Sequence, residues 1–339
     1  MAVAELSPKG RPPAALARKE RSLFQESMIR LMRNKIAVAS IVFIVLLTLA
    51  AFPFASVITS YTFAEQNLQA NNVVPEWMLF LLPENAENYV KFNADYWLGA
   101  DNLGRDVWTR AVYGARISLQ VAFVASLVSL GIGIIYGSVS GYMGGNVDNL
   151  MMRIVDFLYG FPFLIMVILL QAYFKALSRS GEATGFASSL IQWNNAMGGM
   201  LFLFIAIGLI NWLGMARIAR GQVLSYKQKE FIEAAHSMGA SDTRIMFRHL
   251  LPNILGPIIV AETLAIPGYI FLEAFLSFIG LGVDPPTPSW GIMISEGAQA
   301  LRTYPNQVLV PAIFLSITTL AFNFLGDGLR DAFDPRLKQ

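Results

Sequence analysis

The chain has 339 residues, of which 55% are hydrophobic and 14% are charged, and its formal net charge is +2. A soluble protein carries about a quarter charged residues, so this composition indicates an integral membrane protein. The near-neutral charge predicts no nucleic-acid partner, and the absence of cysteine excludes disulfides, thiolate metal sites and cysteine nucleophiles.

Six segments are apolar and long enough to cross about 30 Å of hydrocarbon as helices. Their apolar runs lack the strict alternation that marks the ~10-residue strands of a membrane barrel. The predicted fold class is therefore an all-α membrane protein with six transmembrane helices. In chain order the predicted spans are Ile36–Ile58, Ile117–Ser140, Ile154–Phe174, Met200–Met215 (extending toward Arg220), Asn253–Gly280 and Val308–Leu325.

The distribution of lysine and arginine predicts the orientation of these spans. With the N-terminus inside, 18 basic residues lie on the inner side and seven on the outer side. Residues 1–35, which carry eight of them, are expected to form a cytoplasmic tail that is disordered over residues 1–20. Residues 36–58 are expected to be an uncleaved anchor helix, because the apolar run is too long for a signal peptide. Both termini are therefore expected in the cytoplasm.

Residues 59–115 are predicted to form an extracytoplasmic loop whose last part reads WLGADNLGRDVWTRAVYGA. Its polar residues can start a turn, its glycine permits a tight bend, and Arg105 can pair with Asp106. A plain turn before the second span and a functional outer motif both account for this pattern. The residues of the candidate motif are Asp101, Asn102, Gly104, Arg105 and Asp106.

Three glycines recur at intervals of four in the second span, at Gly133, Gly137 and Gly141. Small residues at this spacing let another helix approach closely within lipid. The run G-I-G-I-I-Y-G lacks the spacing of a dinucleotide-binding loop. We expect this stripe to pack against a helix of this chain or of a partner.

A polar island, KEFIEAAHSMGASDTRIMFRHLLP (residues 229–252), separates the fourth and fifth spans. Its first part predicts a short helix with one apolar face, which Gly239 can end by taking the left-handed conformation. Ser241 can cap a second short helix, and Pro252 would begin the next span. Two such helices at an angle would offer a docking surface to another protein; an ordinary amphipathic loop is the alternative. The apolar positions are Phe231, Ala234, Ala235 and Met238 in the first helix, and Ile245, Met246 and His249 on one side of the second.

The fifth span contains two carboxylates, Glu262 and Glu273, with Pro267 between them. Eleven residues are close to three helical turns, so both carboxylates share one stripe of the helix. Ionisable groups at membrane depth usually face protein or water, and the proline is expected to kink the helix. A lining of a translocation pathway and internal pairing with a neighbouring helix are both consistent with this stripe.

Several phrases resemble the C-type permease subunits of oligopeptide and dipeptide ABC importers. The spacing of Glu233-Ala234-Ala235, Gly239 and Leu251-Pro252 is similar to the cytoplasmic coupling loop of such permeases, with His249 where isoleucine is usual. LGADNLGRDV, with alanine in place of the usual threonine, and FLSFIGLGV, PPTPSWG and FNFLGDGLRDAFDPRL extend the resemblance. It covers residues 97–174 and 205–337 but neither 59–94 nor 175–199, to which the sequence assigns no role.

The resemblance implies a type I (MetI-like) ABC importer permease fold, with a five-helix core over residues 116–339 and coupling helices in the loop 218–252. It implies ATPase coupling through that loop and a translocation pathway or gate at the buried carboxylates. The implied coupling residues are Phe231, Glu233, Ala234, Ala235, Met238, Gly239, Ile245, His249, Leu251 and Pro252; the implied pathway or gate residues are Glu262, Pro267 and Glu273.

The implied function is import of oligopeptides across a bacterial or archaeal cytoplasmic (inner) membrane. The implied partners are a B-type permease in a heterodimer, two cytoplasmic ATPases, an extracytoplasmic solute-binding protein, the peptide and the lipid bilayer. The chain has no G-x-x-x-x-G-K-[ST] loop, so ATP and Mg are expected on the ATPases and no cofactor on this chain.

Three alternatives stand beside this interpretation. The same architecture could import dipeptides, nickel or another small solute. An ion-coupled secondary transporter would usually show more spans and inverted repeats, which the sequence lacks. A membrane enzyme is disfavoured, because neither His236 nor His249 has a second histidine at metal spacing and no G-x-S-x-G elbow occurs.

Overall fold

The computed structural model describes residues 23–82, 86, 89–180 and 184–334. Long helices form a bundle, and short helices connect them at its two ends. The tail predicted over residues 1–20 lies outside the described residues. The α-helices are α1 (Leu23–Arg33), α2 (Lys35–Ala51), α3 (Ala55–Ile58), α4 (Val107–Met143), α5 (Gly145–Tyr159), α6 (Phe163–Ser180), α7 (Phe186–Ala196), α8 (Met200–Lys227), α9 (Glu230–Ser237), α10 (Asp242–Arg244), α11 (Leu251–Phe278), α12 (Trp290–Ala298) and α13 (Asn306–Phe333).

Five helices in the described part of the chain are long and apolar enough to cross a membrane, and the bent pair α1 and α2 makes up to six. The two members of that pair meet at an angle of 92°. Asn34 stands at the bend, where its Oδ1 accepts the backbone N–H groups of Ile36 at 3.1 Å and Ala37 at 3.2 Å. The predicted all-α membrane fold class is confirmed.

The second span begins earlier than predicted. Helix α4 starts at Val107, because Asp106 caps it by accepting the N–H of Thr109 at 2.8 Å. The predicted start at Ile117, and with it the end of the loop at residue 115, is wrong. Arg116 lowers the hydropathy of this stretch, but its guanidinium is satisfied inside the protein by the carbonyl of Ala51 at 2.8 Å.

The third predicted span, Ile154–Phe174, is not one helix. It divides into the end of α5 and the start of α6, with a turn over residues 160–162 between them. Pro162 explains the break, because its ring disfavours a helical conformation at the residue before it and it has no N–H to donate. The fourth span extends as expected, and α8 continues past Arg220 to Lys227.

The glycine stripe of α4 packs against α8 of the same chain. A Cβ atom added to Gly133 would lie 2.6 Å from Cβ of Met215, and one added to Gly141 would lie 2.9 Å from the carbonyl oxygen of Arg220. At Gly137 the added atom would collide with the carbonyl oxygen of Ala216. The backbones of α4 and α8 therefore lie so close at the three glycines that a larger residue would collide with α8.

A loop-rich layer over residues 59–106, here called the end cap, covers one end of the bundle. Two polar side chains at the start of α13 hold it there, and both are buried. Nδ2 of Asn306 donates to the carbonyls of Val73 at 3.2 Å and Leu98 at 3.1 Å. Nε2 of Gln307 donates to Oδ1 of Asn72 at 2.9 Å. These bonds provide partners for acceptor oxygens of the end cap that do not belong to a regular sheet or helix.

Candidate functional site

The connecting segment, residues 228–250 between α8 and α11, lies at the end of the bundle opposite the end cap. Helix α9 ends there at Gly239, whose φ is +78°. The N–H of Ala240 donates to the carbonyl of Ala235 at 3.0 Å, and the N–H of Gly239 donates to that of His236 at 2.9 Å. This pair of bonds is a Schellman motif, which requires the left-handed conformation that glycine adopts at no steric cost.

The apolar face predicted for α9 is divided between the interior and the surface. Ala235 is buried together with Ile232, and both pack in a cluster with residues of α8 and α11. Phe231 and Ala234 are exposed, and Met238 is 81% exposed. Phe231, Ala234 and Met238, here called the α9 patch, therefore form an uncovered apolar surface beside exposed Glu233.

The second short helix predicted in this segment is not separate from the next span. Ser241 does cap it, accepting the N–H of Arg244 at 3.4 Å. The chain then passes through a π-helical turn over Ile245–Leu250 directly into α11, so that residues 242–278 form one long helix. Pro252 accounts for the wide turn, because a proline ring crowds the carbonyl four residues before it.

The predicted coupling residues in the second half of the connecting segment and at the start of α11 differ in how exposed they are. Ile245 is buried, His249 and Leu251 are half-buried, and Pro252 is exposed. The carbonyl of His249 accepts Nδ2 of Asn253 at 2.6 Å. The first short helix, α9, is therefore present, whereas the prediction of a second separate helix is wrong, because that segment is the start of the long helix that continues into the bundle.

Polar contacts tie the connecting segment to α4 and α5. The hydroxyl of Tyr142 donates to Oδ1 of Asp242 at 2.6 Å, and Lys227 donates to the carbonyl of Tyr142 at 2.5 Å. Close by, Nε and Nη2 of Arg220 each donate to Asp148 at 2.5 Å. This bidentate pair lowers the pKa of the Asp148 carboxyl, against the opposing effect of burial.

The two carboxylates of α11 are both buried in the protein. Glu273 accepts hydrogen bonds on both oxygens, from Ser118 at 2.8 Å and from Ser277 at 2.7 Å. Glu262 accepts one from Ser129 at 2.9 Å on Oε2, whereas its Oε1 is buried without a hydrogen-bond partner among the described residues. Pro267 lies half-buried between them, inside the continuous helix.

A cavity of about 540 Å³ opens beside Glu262. Its walls come from α4, the turn between α5 and α6, α8 and α11. Aromatic side chains make up much of the wall, and Glu262 is its sole ionisable group besides tyrosine. The lining includes Ser129, Tyr159, Phe161, Phe163, Asn211, Ala265 and Tyr269.

The predicted outer motif forms a buried ionic cluster at the junction of the end cap and α4. Asp101 accepts the backbone N–H of Arg105 at 3.0 Å on Oδ1 and its Nε at 2.6 Å on Oδ2. Gly104 has a φ of +71°, and a Cβ there would collide with the carbonyl of Asn67. The expected pair of Arg105 with Asp106 is wrong, because Asp106 is the helix cap described above. Asn102 is exposed in the turn.

Two residues of this cluster were missed in the sequence. Nη2 of Arg110 donates to Oε2 of Glu296 at 2.9 Å, and Nη2 of Arg105 donates to the same oxygen at 2.8 Å. Arg110 could have been identified from the sequence as a basic residue inside an otherwise apolar helix, where it needs a buried acidic partner. No local sequence pattern indicates Glu296, because its partners Arg110 and Arg105 lie 186 and 191 residues away in the chain.

The sequence profile of the family described as "Binding-protein-dependent transport system inner membrane component" matches residues 130–339. The chain belongs to this family. A second profile, "N-terminal TM domain of oligopeptide transport permease C", matches residues 22–82. The first profile therefore spans the connecting segment and both carboxylates of this inner membrane component. The second spans α1, α2 and the end cap as far as residue 82.

Curated relatives of this inner membrane component extend over nearly the whole chain. The oligopeptide transport system permease protein OppC of Bacillus subtilis (strain 168) is 39% identical, covering 96% of this chain and 93% of the relative. The dipeptide transport system permease protein DppC of the same organism is also 39% identical, covering 98% of this chain and 91% of the relative. Among solved structures, a chain of the inward-facing MetNI methionine ABC transporter matches with a TM-score of 0.48 and 16% identity, over 66% of this chain and 96% of that one.

Proposed function

We propose that this chain is the C-type permease subunit of an ATP-driven importer that carries oligopeptides across the cytoplasmic membrane. The near full-length similarity to an oligopeptide permease carries this proposal. Transport in this scheme needs a B-type permease as the other half of the pore and an extracytoplasmic binding protein that delivers the peptide. ATP and Mg belong to two ATPase subunits, since this chain has no phosphate-binding loop.

The α9 patch is the proposed contact with an ATPase. Phe231 and Met238 leave large apolar surfaces exposed on a short helix whose other side is fixed to the bundle. Uncovered apolar groups on a rigid projecting helix are suited to a groove in a partner protein. Glu233, next to the patch, adds a charge that can fix the orientation of docking.

The continuous helix from Asp242 to Phe278 gives this contact a mechanical role. It has 37 residues, so it extends about 55 Å from the docking surface. A displacement of α9 by an ATPase would tilt this helix as one body, because Ile245 and Leu250 are locked into the cluster that also holds Ile232. Glu262 and the cavity beside it lie on the part of the helix that would move.

The orientation of the chain follows from its charge distribution. Placing the connecting segment and both termini in the cytoplasm puts most lysine and arginine residues on the inner side. The end cap then faces the exterior, where the binding protein would dock. The cluster of buried Asp101 and Arg105 with partly exposed Glu296 would hold that docking face to α4 and α12.

Dipeptides are the second candidate substrate. The dipeptide permease DppC of Bacillus subtilis is as similar to this chain as the oligopeptide permease is. An ion-coupled mechanism would need uptake without the ATPases.

The test is transport by the complete complex in proteoliposomes, assembled from this chain and a B-type permease, two ATPases and a binding protein from the same organism. Uptake of labelled alanine peptides of two to six residues would be measured with and without ATP. The proposal expects ATP-dependent uptake that is greatest for peptides longer than two residues. Uptake of the dipeptide alone would replace the proposal with the second candidate, and uptake driven by an ion gradient without ATP would overturn it.

A further inference from the structure

Glu262 and Glu273 lie on the same helix and on nearly the same stripe, but their surroundings differ. Glu273 is fully buried, and serine hydroxyl groups donate to both of its oxygens. It is not part of the wall of the cavity described above. Neither oxygen of Glu273 is a vacancy, that is, a buried acceptor without any donor, so Glu273 is suited to fixing α11 against α4.

Glu262 has such a vacancy. Ser129 donates to one oxygen, and the hydroxyl of Tyr269 lies 3.5 Å from that same serine. The hydroxyls of Ser126 and Tyr269 are close to the carboxylate, but neither donates to Oε1 in hydrogen-bond geometry. A buried carboxylate oxygen without a donor is costly, so the site is incomplete until a donor or a cation arrives.

The walls of the cavity favour a cation over any other ligand. No lysine or arginine lines it. The basic group near its rim, Arg217, is already paired with Asp156 at 2.6 Å and lies 4.1 Å from the ring centroid of Tyr159. Asn211 uses one N–H of its side-chain amide for the carbonyl of Ile207 at 2.7 Å, and its amide oxygen is an acceptor that a cation can use.

Aromatic rings reinforce this preference. Tyr159, Phe161, Phe163 and Tyr269 all line the cavity, and the faces of such rings attract ammonium groups. The volume of about 540 Å³ lies within the range of small-ligand sites. An ammonium on a short peptide segment therefore fits both the charge and the size of this space.

We propose that the cavity beside Glu262 is a cation-binding site on this chain's side of the translocation route, where Glu262 and the surrounding aromatic rings accept the ammonium group of a peptide in transit. This inference rests on the proposed peptide import. It assigns the ligand of one carboxylate and gives the other a structural role. The resemblance favours Glu273 over Glu262 as the functional carboxylate, because Glu273 lies in a phrase shared with the family, and the proposal reverses that order.

The absence of cysteine from the chain makes a direct test possible. Ala265→Cys places a thiol in the wall of the cavity, and Asn211→Cys supplies a second reporter if the first variant assembles poorly. In the assembled complex, the thiol of this chain is treated with a cationic reagent, aminoethyl methanethiosulfonate, and with the anionic sulfonatoethyl reagent. The ratio of the two rate constants measures the potential in the cavity without requiring transport.

The expected result is that Glu262→Gln lowers the cationic-to-anionic ratio by about tenfold, because a charge a few ångströms away is removed from a weakly screened site. The matched control Glu273→Gln should change it less than twofold, and Glu262→Asp should keep most of it. An unchanged ratio in assembled Glu262→Gln complex would overturn the inference, whatever the result of the transport assay.

A second experiment asks which peptides protect the introduced thiol from labelling, and so identifies the group that supplies the ammonium. Tetra-alanine with a free N-terminus should slow cationic labelling of the thiol, whereas N-acetyl-tetra-alanine should not. N-acetyl-alanyl-lysyl-alanine should protect if a lysine side chain can also supply the group. Equal protection by the free and acetylated tetra-alanine would show that the cavity does not select an ammonium and would overturn the proposal, while import by the complex could still stand.

Discussion

Arg110 and Glu296 are joined by a hydrogen bond of 2.9 Å between Nη2 and Oε2 at the junction of α4 and α12. The arginine side chain is only 1% exposed, whereas the glutamate side chain is 34% exposed. Arg105 shares the same glutamate oxygen, and Asp101 lies on the other side of both guanidinium groups. Two buried cations thus share two carboxylates, one of which is partly exposed and comes from a distant part of the chain.

Replacing Glu296 by alanine is expected to destabilise the end of the bundle that carries the end cap. It leaves a buried arginine with one carboxylate shared between two cations, and because Glu296 is 34% exposed, the cost should lie below the ~3 kcal/mol of a fully buried pair. The thermal unfolding midpoint of the purified complex should fall by several degrees. Glu76→Ala, an exposed acidic position in the end cap, is the control and should leave the midpoint unchanged. Equal midpoints for the two variants would contradict the prediction.

Gly239→Val is expected to uncouple ATP hydrolysis from transport. A Cβ at this position meets no atom within 4 Å, so any effect comes from the positive φ of +78° rather than from a collision. Valine resists that conformation, whereas asparagine tolerates it. Peptide uptake should fall at least tenfold in Gly239→Val while ATP hydrolysis by the complex continues.

Gly239→Asn is the matched control for that experiment and should retain most of the uptake. Measuring uptake and hydrolysis on the same proteoliposomes separates loss of coupling from loss of the complex. Full uptake in Gly239→Val would show that the Schellman stop at the end of α9 is dispensable for coupling.

The sequence predicted the end of α9 because the information is local. A glycine after a short amphipathic helix is sufficient to indicate a left-handed stop, and Ser241 is sufficient to indicate the following cap. The apolar runs likewise indicated the number of spans. The break at Pro162 was missed because that proline stands among apolar residues that continue the hydropathy of the span. The wide turn before Pro252 was missed because the sequence assigns that proline to the start of a new helix, whereas the helix already begins at Asp242.

The polar interior was less predictable, since its contacts join residues that are distant in sequence. Ser129 donates to Glu262 across 133 positions, and Ser118 donates to Glu273 across 155. Helical periodicity placed both carboxylates on one stripe but carried no information about the serines of α4. The different surroundings of the two carboxylates therefore emerged only once α4 and α11 were packed together.

Glu273→Ala is expected to impair assembly, whereas Glu273→Gln should be tolerated. Alanine leaves the hydroxyls of Ser118 and Ser277 without their buried acceptor, while glutamine keeps an acceptor oxygen and the shape of the side chain. The yield of monodisperse complex from detergent checks both variants. Loss of peptide uptake in a Glu273→Gln complex that assembles normally would assign this residue to the pathway or gate instead.

Gly137→Leu is expected to prevent close packing of α4 on α8 within this chain. The new side chain would have to displace the backbone carbonyl of Ala216, and overpacking of this kind costs about 1–3 kcal/mol or more. Gly131→Leu is a matched control on the same helix, because an added Cβ there meets no atom within 4 Å. The control should yield stable protein, and the Gly137 variant should be degraded or aggregate. Equal yields would mean that the glycine stripe is incidental.

Asp148→Asn is expected to lower stability at neutral pH and to have little effect in acid. Arg220 depresses the pKa of the folded-state carboxyl, so the stabilisation is fully present above the unfolded-state pKa of about 3.9. It is lost as the pH falls through the lower, folded-state pKa, because the protonated carboxyl no longer pairs with the guanidinium. Thermal midpoints of the wild-type and variant complexes should therefore differ by a few degrees at pH 7, and the difference should narrow as the pH falls below about 3.9. The exposed Asp95→Asn variant supplies the control for general acid effects. A difference between the two midpoints that does not narrow at any pH below about 3.9 would show that the charge of Asp148 does not support the contact between α5 and α8.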